Sequence, residues 1–403
     1  MPTSRALTFL SAALVLYLFA NQTQVGWLYV MSALLAGTVL AAGFLSRGML
    51  KRISAERKIG QVEMHEGDTV SVALALHKGQ GSASQIRLEE KCPLVALDSP
   101  QRAVKLFIPS LPAGGSVEFD YEVLVDRRGL HEFPPLTLNS RAPFGFFKRS
   151  SVVQASTRAL VYPEVRPLKR LELLDKQNAP EITRQRAGIG YEVIGVRPFR
   201  SGDSSRHIHW RSVARTGQLM SKEFADEAQP GLTLVLDLFA HPYPQTDTKH
   251  VPFEWMVKVA ASIADYARVK GYPLHILADG EVLPLPSGAV AWSALLQYLA
   301  RIQPSGKRPL PEVFGGHSTQ AFIAVVLPWP DNEMIGTLNN LHYKRADVLA
   351  VVLDPESFPA GGTSAQSFAS SLRAGGTDTR LLRFGDDWTA QLAARTGSGV
   401  GLS

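Results

Sequence analysis

The chain of 403 residues holds one cysteine, Cys92. A lone thiol closes no internal disulfide and leaves no second sulfur for a thiolate metal site, so the folded part is not built for an oxidising compartment. Charge is missing over a longer stretch, since no Asp, Glu, Lys or Arg stands between Ala6 and Ser46. Common catalytic signatures are missing too. QPSGKR around Lys307 lacks the leading glycine and trailing Ser/Thr of a phosphate-cradling loop, GIGYEVIG fails the dinucleotide-binding spacing, and no G-x-S-x-G elbow stands at a strand-to-helix turn. The overall charge, 42 basic against 36 acidic residues, is a mild excess that selects no class of partner.

Two apolar blocks fill the uncharged stretch, ALTFLSAALVLYLFA and VGWLYVMSALLAGTVLAAGFL, with NQTQ between them. The second reaches the roughly 20 residues that a bilayer core requires, and the first reaches it by stretching toward Arg5 or tilting. Residues 1–46 therefore read as an uncleaved transmembrane helical hairpin, YLFANQ offering no small-x-small cleavage site. Arg47, Lys51, Arg52, Arg57 and Lys58 follow against one acid, Glu56, in a basic juxtamembrane linker over 47–59. By the positive-inside rule the remainder faces the cytoplasm, as in a multi-pass protein of a bacterial inner membrane.

Residues 60–165 alternate with period two. In SVEFDYEVLV, Val117, Phe119, Tyr121 and Val123 share one face while Glu118, Asp120 and Glu122 share the other, and TVSVALAL, SQIRLEE, VKLFIP and LHEFPPLTLNS add further strand-like runs between Gly, Pro and Ser. Many short strands with frequent turns predict a β-sandwich. From residue 231 the rhythm becomes strand then helix: LTLVLDLF before FEWMVKVAASIADYARVKG, PLHILAD before AVAWSALLQYLARI, AFIAVVLP before NEMIGTLNNLHYK, ADVLAVVLD before SAQSFASSLRAG, TRLLRF before DWTAQLAAR. That alternation predicts an α/β doubly wound, mostly parallel sheet over 231–403. In its first helix, Phe253, Met256, Val257, Ala260, Ile263, Ala264 and Ala267 fall on one face.

Between the two regions, in a connector over 166–230, RPFRSGDSSRHIHWRSVARTGQL gathers Arg197, Arg200, Arg206, Arg211 and Arg215, His207, His209 and Trp210 around Asp203. SGDSS offers a turn with Asp203, Ser204 or Ser205 as helix N-cap, so RHIHWRSVAR is expected to open as a short helix on which Arg211 and Arg215 share a face, as do Arg206 and Trp210. Guanidinium forks suit carboxylates and phosphates. The competing reading is internal, because Glu223, Asp226 and Glu227 follow at once and can neutralise several arginines. His207 and His209 make a poor zinc site, with no completing Cys/His pair and with arginines repelling a cation. Asp237, at the end of LTLVLDLF, has no oxygen ligand in the next three residues and reads as a structural Asp that caps a loop or pairs with an arginine.

Gly202, Asp203, Arg206, Ile208, Trp210, Ala214, Arg215, Gly217, Leu219 and Glu223 together resemble the signature of the domain of unknown function 58 (DUF58) family, a G-D-x-x-R-x-I-x-W run, then A-R-x-G-x-L, then acidic and hydrophobic strands. RRGLHEFPPLTLNSRAPFGFFKR resembles the family's preceding segment, with Ala142 where D-P-F-G is usual. The resemblance implies two N-terminal spans, a β-rich segment and a C-terminal von Willebrand factor type A-like domain. Such domains often carry D-x-S-x-S for a metal; here Phe239 and His241 replace the serines, so Asp237 marks a degenerate position and no metal or cofactor is expected. The resemblance further implies a membrane-tethered, non-enzymatic adaptor of a MoxR-type AAA+ ATPase, together with a transglutaminase-like membrane protein. The rival is an enzyme or binding protein for an anionic, phosphorylated or nucleotide ligand at the arginine cluster. Nucleic-acid binding is not expected, no stacking platform or recognised module being present.

Overall fold

The computed structural model describes residues 2–60, 63–95, 102–175, 193–200, 205–224, 231–240, 250–279, 281–285, 289–314, 322–343 and 346–394, with the backbone alone at 193–195, 206, 223–224, 281–285, 289–291 and 342–343. The chain divides into two compact units near residue 164, residues 297–301 counting with the first.

The first unit begins with α1 (Ser4–Thr23) and α2 (Gly26–Ser46), both long and apolar enough to cross a membrane. Only 17% of each apolar window is buried, so most of that surface faces outward. The one buried polar contact between them is satisfied within the pair: the Ser32 hydroxyl donates to the Ala13 carbonyl at 2.7 Å, as an apolar surround requires.

Ten short strands follow: β1 (Ile53–Ile59), β2 (Met64–His65), β3 (Thr69–Lys78), β4 (Ala83–Lys91), β5 (Ala103–Leu111), β6 (Ser116–Leu124), β7 (Gly129–Glu132), β8 (Leu136–Ser140), β9 (Arg149–Val153) and β10 (Arg158–Tyr162). They form the sheets β1-β3-β6, β5-β4-β8-β9 and β2-β10-β7, antiparallel except for β2 with β10. The inward residues of β3 serve two cores. Leu74 and Leu76 meet Ile86, Leu88, Leu136 and Leu138, while Val70 and Val72 meet Met64, Val123, Phe133 and Val161. The expected alternation of β6 is present, Val123 buried and Val117, Phe119 and Tyr121 half-buried, with the three acids exposed.

Two features of this unit depart from the sequence reading. Residues 53–59, expected to end the linker, are strand β1, paired along its length with β3. Arg57, counted as a membrane-facing cation, is buried instead: its Nε lies 2.6 Å from Glu90 Oε1, both side chains fully covered, its Nη1 donates to the Ala155 carbonyl, and its guanidinium sits 4.5 Å from the centre of the Phe133 ring. Period-two counting puts Arg57 on the inward face, and the carboxylate of Glu90, on β4 of another sheet, makes that tolerable.

The β8–β9 connection, the APFGFF segment, wedges against the helix ends. Phe146 is buried with Ala6, Val39 and Ala42 and its ring lies 4.8 Å from that of Phe9. The Thr3 amide donates to the Phe146 carbonyl at 2.8 Å, the Thr3 hydroxyl to the Gly145 carbonyl at 2.8 Å, and Arg149 Nε to the Ser46 hydroxyl at 3.2 Å. The motif read upstream of the signature is thus what joins strands to helices.

The second unit holds α3 (Glu172–Asp175), then β11 (Val193–Pro198), α4 (Trp210–Thr216) and β12 (Met220–Phe224), then β13 (Leu232–Leu236), α5 (Pro252–Val269), β14 (Leu274–Ala278), β15 (Glu281–Leu285), α6 (Ala289–Arg301) up to Leu296, α7 (Leu310–Phe314), β16 (Phe322–Leu327), α8 (Glu333–Tyr343), β17 (Asp347–Leu353), α9 (Gln366–Ala374), β18 (Asp378–Leu382) and α10 (Trp388–Ala393). Six strands form one sheet in the order β15-β14-β13-β16-β17-β18, five of them parallel and β15 antiparallel at the edge. Every residue of β13 and β16 is buried, as strands covered on both faces must be. One face packs Val235, Ile323, Val325 and Val352 against Met334, Leu338 and Phe368 from α8 and α9.

On the sheet's other side, α5 is buried almost all round rather than along one stripe, without a break from Trp255 to Ala264. Such a helix belongs inside a core. Its polar Ser262 is consumed there, accepting from the Arg166 amide and Trp388 Nε1 and donating to the Lys258 carbonyl.

Candidate functional site

The arginine motif is an excursion between two paired strands. β11 and β12 run antiparallel with Arg197 opposite Ser221 and Pro198 opposite Met220. The chain leaving β11 is tied back twice, the Phe199 amide donating to the Leu219 carbonyl at 2.9 Å and the His209 amide to the Met220 carbonyl at 2.8 Å. Ile208, the apolar residue between the histidines, is buried and bridges to Ser221.

The helix expected to open at SGDSS is divided. Residues Ser205–His207 make a 3-10 turn, Ile208 interrupts it, and α4 starts at Trp210 with His209 in the N-cap position. The interruption follows from the β-bridge of Ile208, which a continuous helix would forbid. His209 Nδ1 lies 2.8 Å from the Ser212 hydroxyl. Gly217 ends the helix in left-handed conformation (φ 69°), its amide donating to the Val213 carbonyl, which is why the A-R-x-G motif wants glycine there.

This construction turns α4 outward. None of its residues is buried. Trp210 is 67% exposed, with Leu219 and Val196 exposed as well, and a tryptophan left in water is the uncommon observation here. Arg211 and Arg215, four apart and on one face, are exposed, and neither has a hydrogen bond or ion pair among the described residues. Arg197 is tied in, its Nη1 donating to the Pro198 carbonyl at 3.3 Å. Arg206, expected to share a helix face with Trp210, belongs to the 3-10 turn instead; its side chain and that of Glu223, on β12, lie outside the described residues, as do Gly202, Asp203, Asp226 and Glu227.

Asp237 lies just beyond the central strand β13, buried, its Oδ1 accepting from the Phe239 amide at 3.0 Å. That is the loop-capping role its neighbours suggested. The loop is pinned by Gly306, whose amide donates to the Leu238 carbonyl at 2.6 Å, and a Cβ at Gly306 would stand 2.7 Å from that same oxygen. Sequence reasoning passed over Asp354, the counterpart at the end of β17. It is buried, with Oδ1 accepting from the Ala365 amide at 2.9 Å and Oδ2 3.5 Å from Arg383 Nε; its place at the end of an all-apolar strand was the available signal. Among the described residues no three His, Cys, Asp or Glu side chains gather as metal ligands.

Residues 195–365 match the family model described as "Protein of unknown function DUF58". The chain is 24% identical over 306 residues to the uncharacterized protein YeaD of Bacillus subtilis, covering 73% of each. Among solved structures it is similar to the sporulation control protein Spo0M of Bacillus subtilis, at 12% identity, 38% of this chain and 59% of that one, with a TM-score of 0.16. It is also similar to a family 123 glycoside hydrolase from Clostridium perfringens, at 8% identity, 82% and 78%, with a TM-score of 0.18. Likeness at such scores carries no argument about fold or chemistry. The match to the DUF58 family over residues 195–365 takes in the signature that runs from Arg197 through α4 to β12.

Proposed function

We propose that the protein is a non-enzymatic adaptor, anchored in a bacterial inner membrane by α1 and α2, that engages a MoxR-type AAA+ ATPase through the outward face of α4. The observation that carries this is the pairing of an exposed Trp210 with Arg211 and Arg215, whose side chains have no partner among the described residues, on a helix with no fully buried residue. Tryptophan and arginine are the residues on which binding energy concentrates at protein interfaces, and such a face fits an acidic partner surface. Arg47, Lys51 and Arg52 after α2 favour a cytoplasmic position for both units. The two antiparallel sheets sharing the β3 core support a β-sandwich. The 3-2-1-4-5-6 type strand order with an antiparallel edge supports a von Willebrand factor type A-like second unit, in which Asp237 caps a loop.

The test is equilibrium binding of the full chain in neutral detergent to the purified ATPase. Replacing both Arg211 and Arg215 by Ala is expected to weaken it by roughly ten- to a hundredfold, and Trp210→Ala by about thirtyfold. Undiminished binding by folded variants removes the α4 face from the interface. A nucleotide or phosphosugar that raises the melting temperature of the full chain, and fails to do so in the double arginine variant, favours the anionic-ligand alternative.

A further inference from the structure

Where the first strands meet the start of α1, a cavity of about 1070 Å³ opens onto the outward face of β4, β5 and β8. Arg5, Arg87, Lys105, Arg141 and Lys148 line it, against one carboxylate, Glu89. The sheet register sets Arg87 between Phe107 on β5 and Asn139 on β8, two pairs along from Glu89 and Lys105. The other cations come from the helix start and from the wedge loop, so three separate parts of the chain converge on the space.

Among the described residues the side chains of Arg5, Arg87, Lys105 and Arg141 have neither a hydrogen bond nor an ion-pair partner, and all four are exposed. Like charges gathered this closely repel, and an anion with several oxygens relieves the repulsion while satisfying the guanidinium forks. The helix end adds to the field. Thr3, in the N-cap position of α1, donates its hydroxyl to the Gly145 and Phe146 carbonyls and caps no first-turn amide, leaving the positive end of a 20-residue helix at the cavity wall. Phe144 and Phe107, both more than half exposed, also line the cavity. Aromatic side chains in such a position suit the boundary between headgroups and acyl chains.

We infer that this cavity binds the phosphate headgroup of an anionic phospholipid in the leaflet next to the first unit. The inference rests on the membrane-anchored reading above: α1 enters the bilayer at the cavity wall, so a lipid beside α1 places its phosphate among these cations. Binding of this kind fixes the depth and tilt of the helix pair, and it makes the first unit sensitive to the charge of the membrane.

The full chain, purified in neutral detergent, is titrated with phosphatidylglycerol, with phosphatidylcholine and with inorganic phosphate, and binding is read from the rise in melting temperature. Phosphatidylglycerol is expected to bind about thirtyfold more tightly than phosphatidylcholine, the scale set by two basic residues acting near an anionic surface. In the double variant Arg87→Gln/Lys105→Gln the preference is expected to fall within about twofold, and Arg5→Gln/Arg141→Gln, on different elements, repeats the loss if the first pair disturbs the sheet. Arg47→Gln/Lys51→Gln, basic but outside the cavity, keeps it. Equal affinity for the two lipids, or a preference that survives both cavity variants, overturns the inference. Stabilisation by inorganic phosphate that phosphatidylglycerol does not exceed assigns the cavity to a soluble phosphate instead. Carbonate extraction of native membranes separates this failure from that of the wider reading: release of the wild-type chain overturns both, whereas a retained chain without lipid preference overturns the headgroup site alone.

Discussion

Replacing Arg57 by Met should open the first unit from within. In the native chain Arg57 and Glu90 are both fully covered, 2.6 Å apart. Removing the cation leaves a carboxylate buried beside Tyr121 and Cys92, and it leaves the Ala155 carbonyl, which Arg57 Nη1 serves, with the Thr157 hydroxyl at 3.4 Å. Loss of one partner from a buried pair costs about 3–5 kcal/mol. Cys92, the chain's single cysteine, is fully buried two residues from Glu90, and burial pushes its thiol pKa up, so it reacts with maleimide only when this core opens. At tenfold per 1.4 kcal/mol the labelling rate of Arg57→Met should rise by roughly two to four powers of ten.

The double variant Arg57→Met/Glu90→Leu, which removes both charges, should recover most of the loss, falling short by about 1 kcal/mol for the hydrogen bond lost at the Ala155 carbonyl. The pH dependence is a second readout. Burial already raises Glu90 above its ordinary 4.5, and Arg57, ahead of Tyr121, works to lower it. Without Arg57 the folded chain holds a proton, above pH 4.5, that the unfolded chain has released, so stability falls as pH rises toward the folded value. The deficit of Arg57→Met, set against the double variant, should therefore be larger at pH 8 than at pH 5. A single variant that labels within threefold of wild type, or a double variant as open as the single, refutes this account of the core.

Phe146→Ala should cost about 3 kcal/mol at the wedge, and hydrogen exchange at the Thr3 amide, which donates to the Phe146 carbonyl, should quicken by roughly a hundredfold; unchanged protection would remove the wedge from the account. Gly306→Ala should destabilise the second unit by roughly 1–3 kcal/mol, because its Cβ would stand 2.7 Å from the Leu238 carbonyl oxygen. Fluorescence of the buried Trp255 and Trp388 follows that unfolding, and a wild-type midpoint contradicts it. His131 is held below its ordinary 6.5 by burial. As the pH falls through 6.5 the unfolded chain takes up a proton that the folded chain refuses, so wild type should lose stability between pH 7.5 and 5.5 relative to His131→Gln. Parallel urea midpoints for the two chains across that range would contradict it.

Much of the fold is legible in the sequence because each region keeps its own period. Val117 to Val123 alternate as a half-covered strand must, and FIAVVL and, after Asp347, VLAVVL run apolar throughout as strands covered on both faces must. What escaped notice had a weak local signal. β15 is an EVLPL edge strand, and Pro284 masks it as a strand although an edge is where a sheet tolerates proline. Arg57 looked like juxtamembrane charge because its partner Glu90 lies 33 residues away in sequence. The site was half legible. Composition singled out the segment, and spacing put Arg211 and Arg215 on one face, but the break at Ile208 depends on a tertiary bridge to Ser221 that no local pattern announces. For the same reason acids close in sequence were credited with neutralising arginines, two of which, Arg211 and Arg215, stand in solvent without a partner among the described residues.

The adaptor reading stands or falls on what touches α4. A photo-crosslinking residue in place of Trp210, in the full chain expressed with the MoxR-type ATPase, should join the two proteins on irradiation, and Arg211→Ala/Arg215→Ala in the same chain should abolish the product. A crosslink within the chain alone, or one to the ATPase that is indifferent to both arginines, contradicts it.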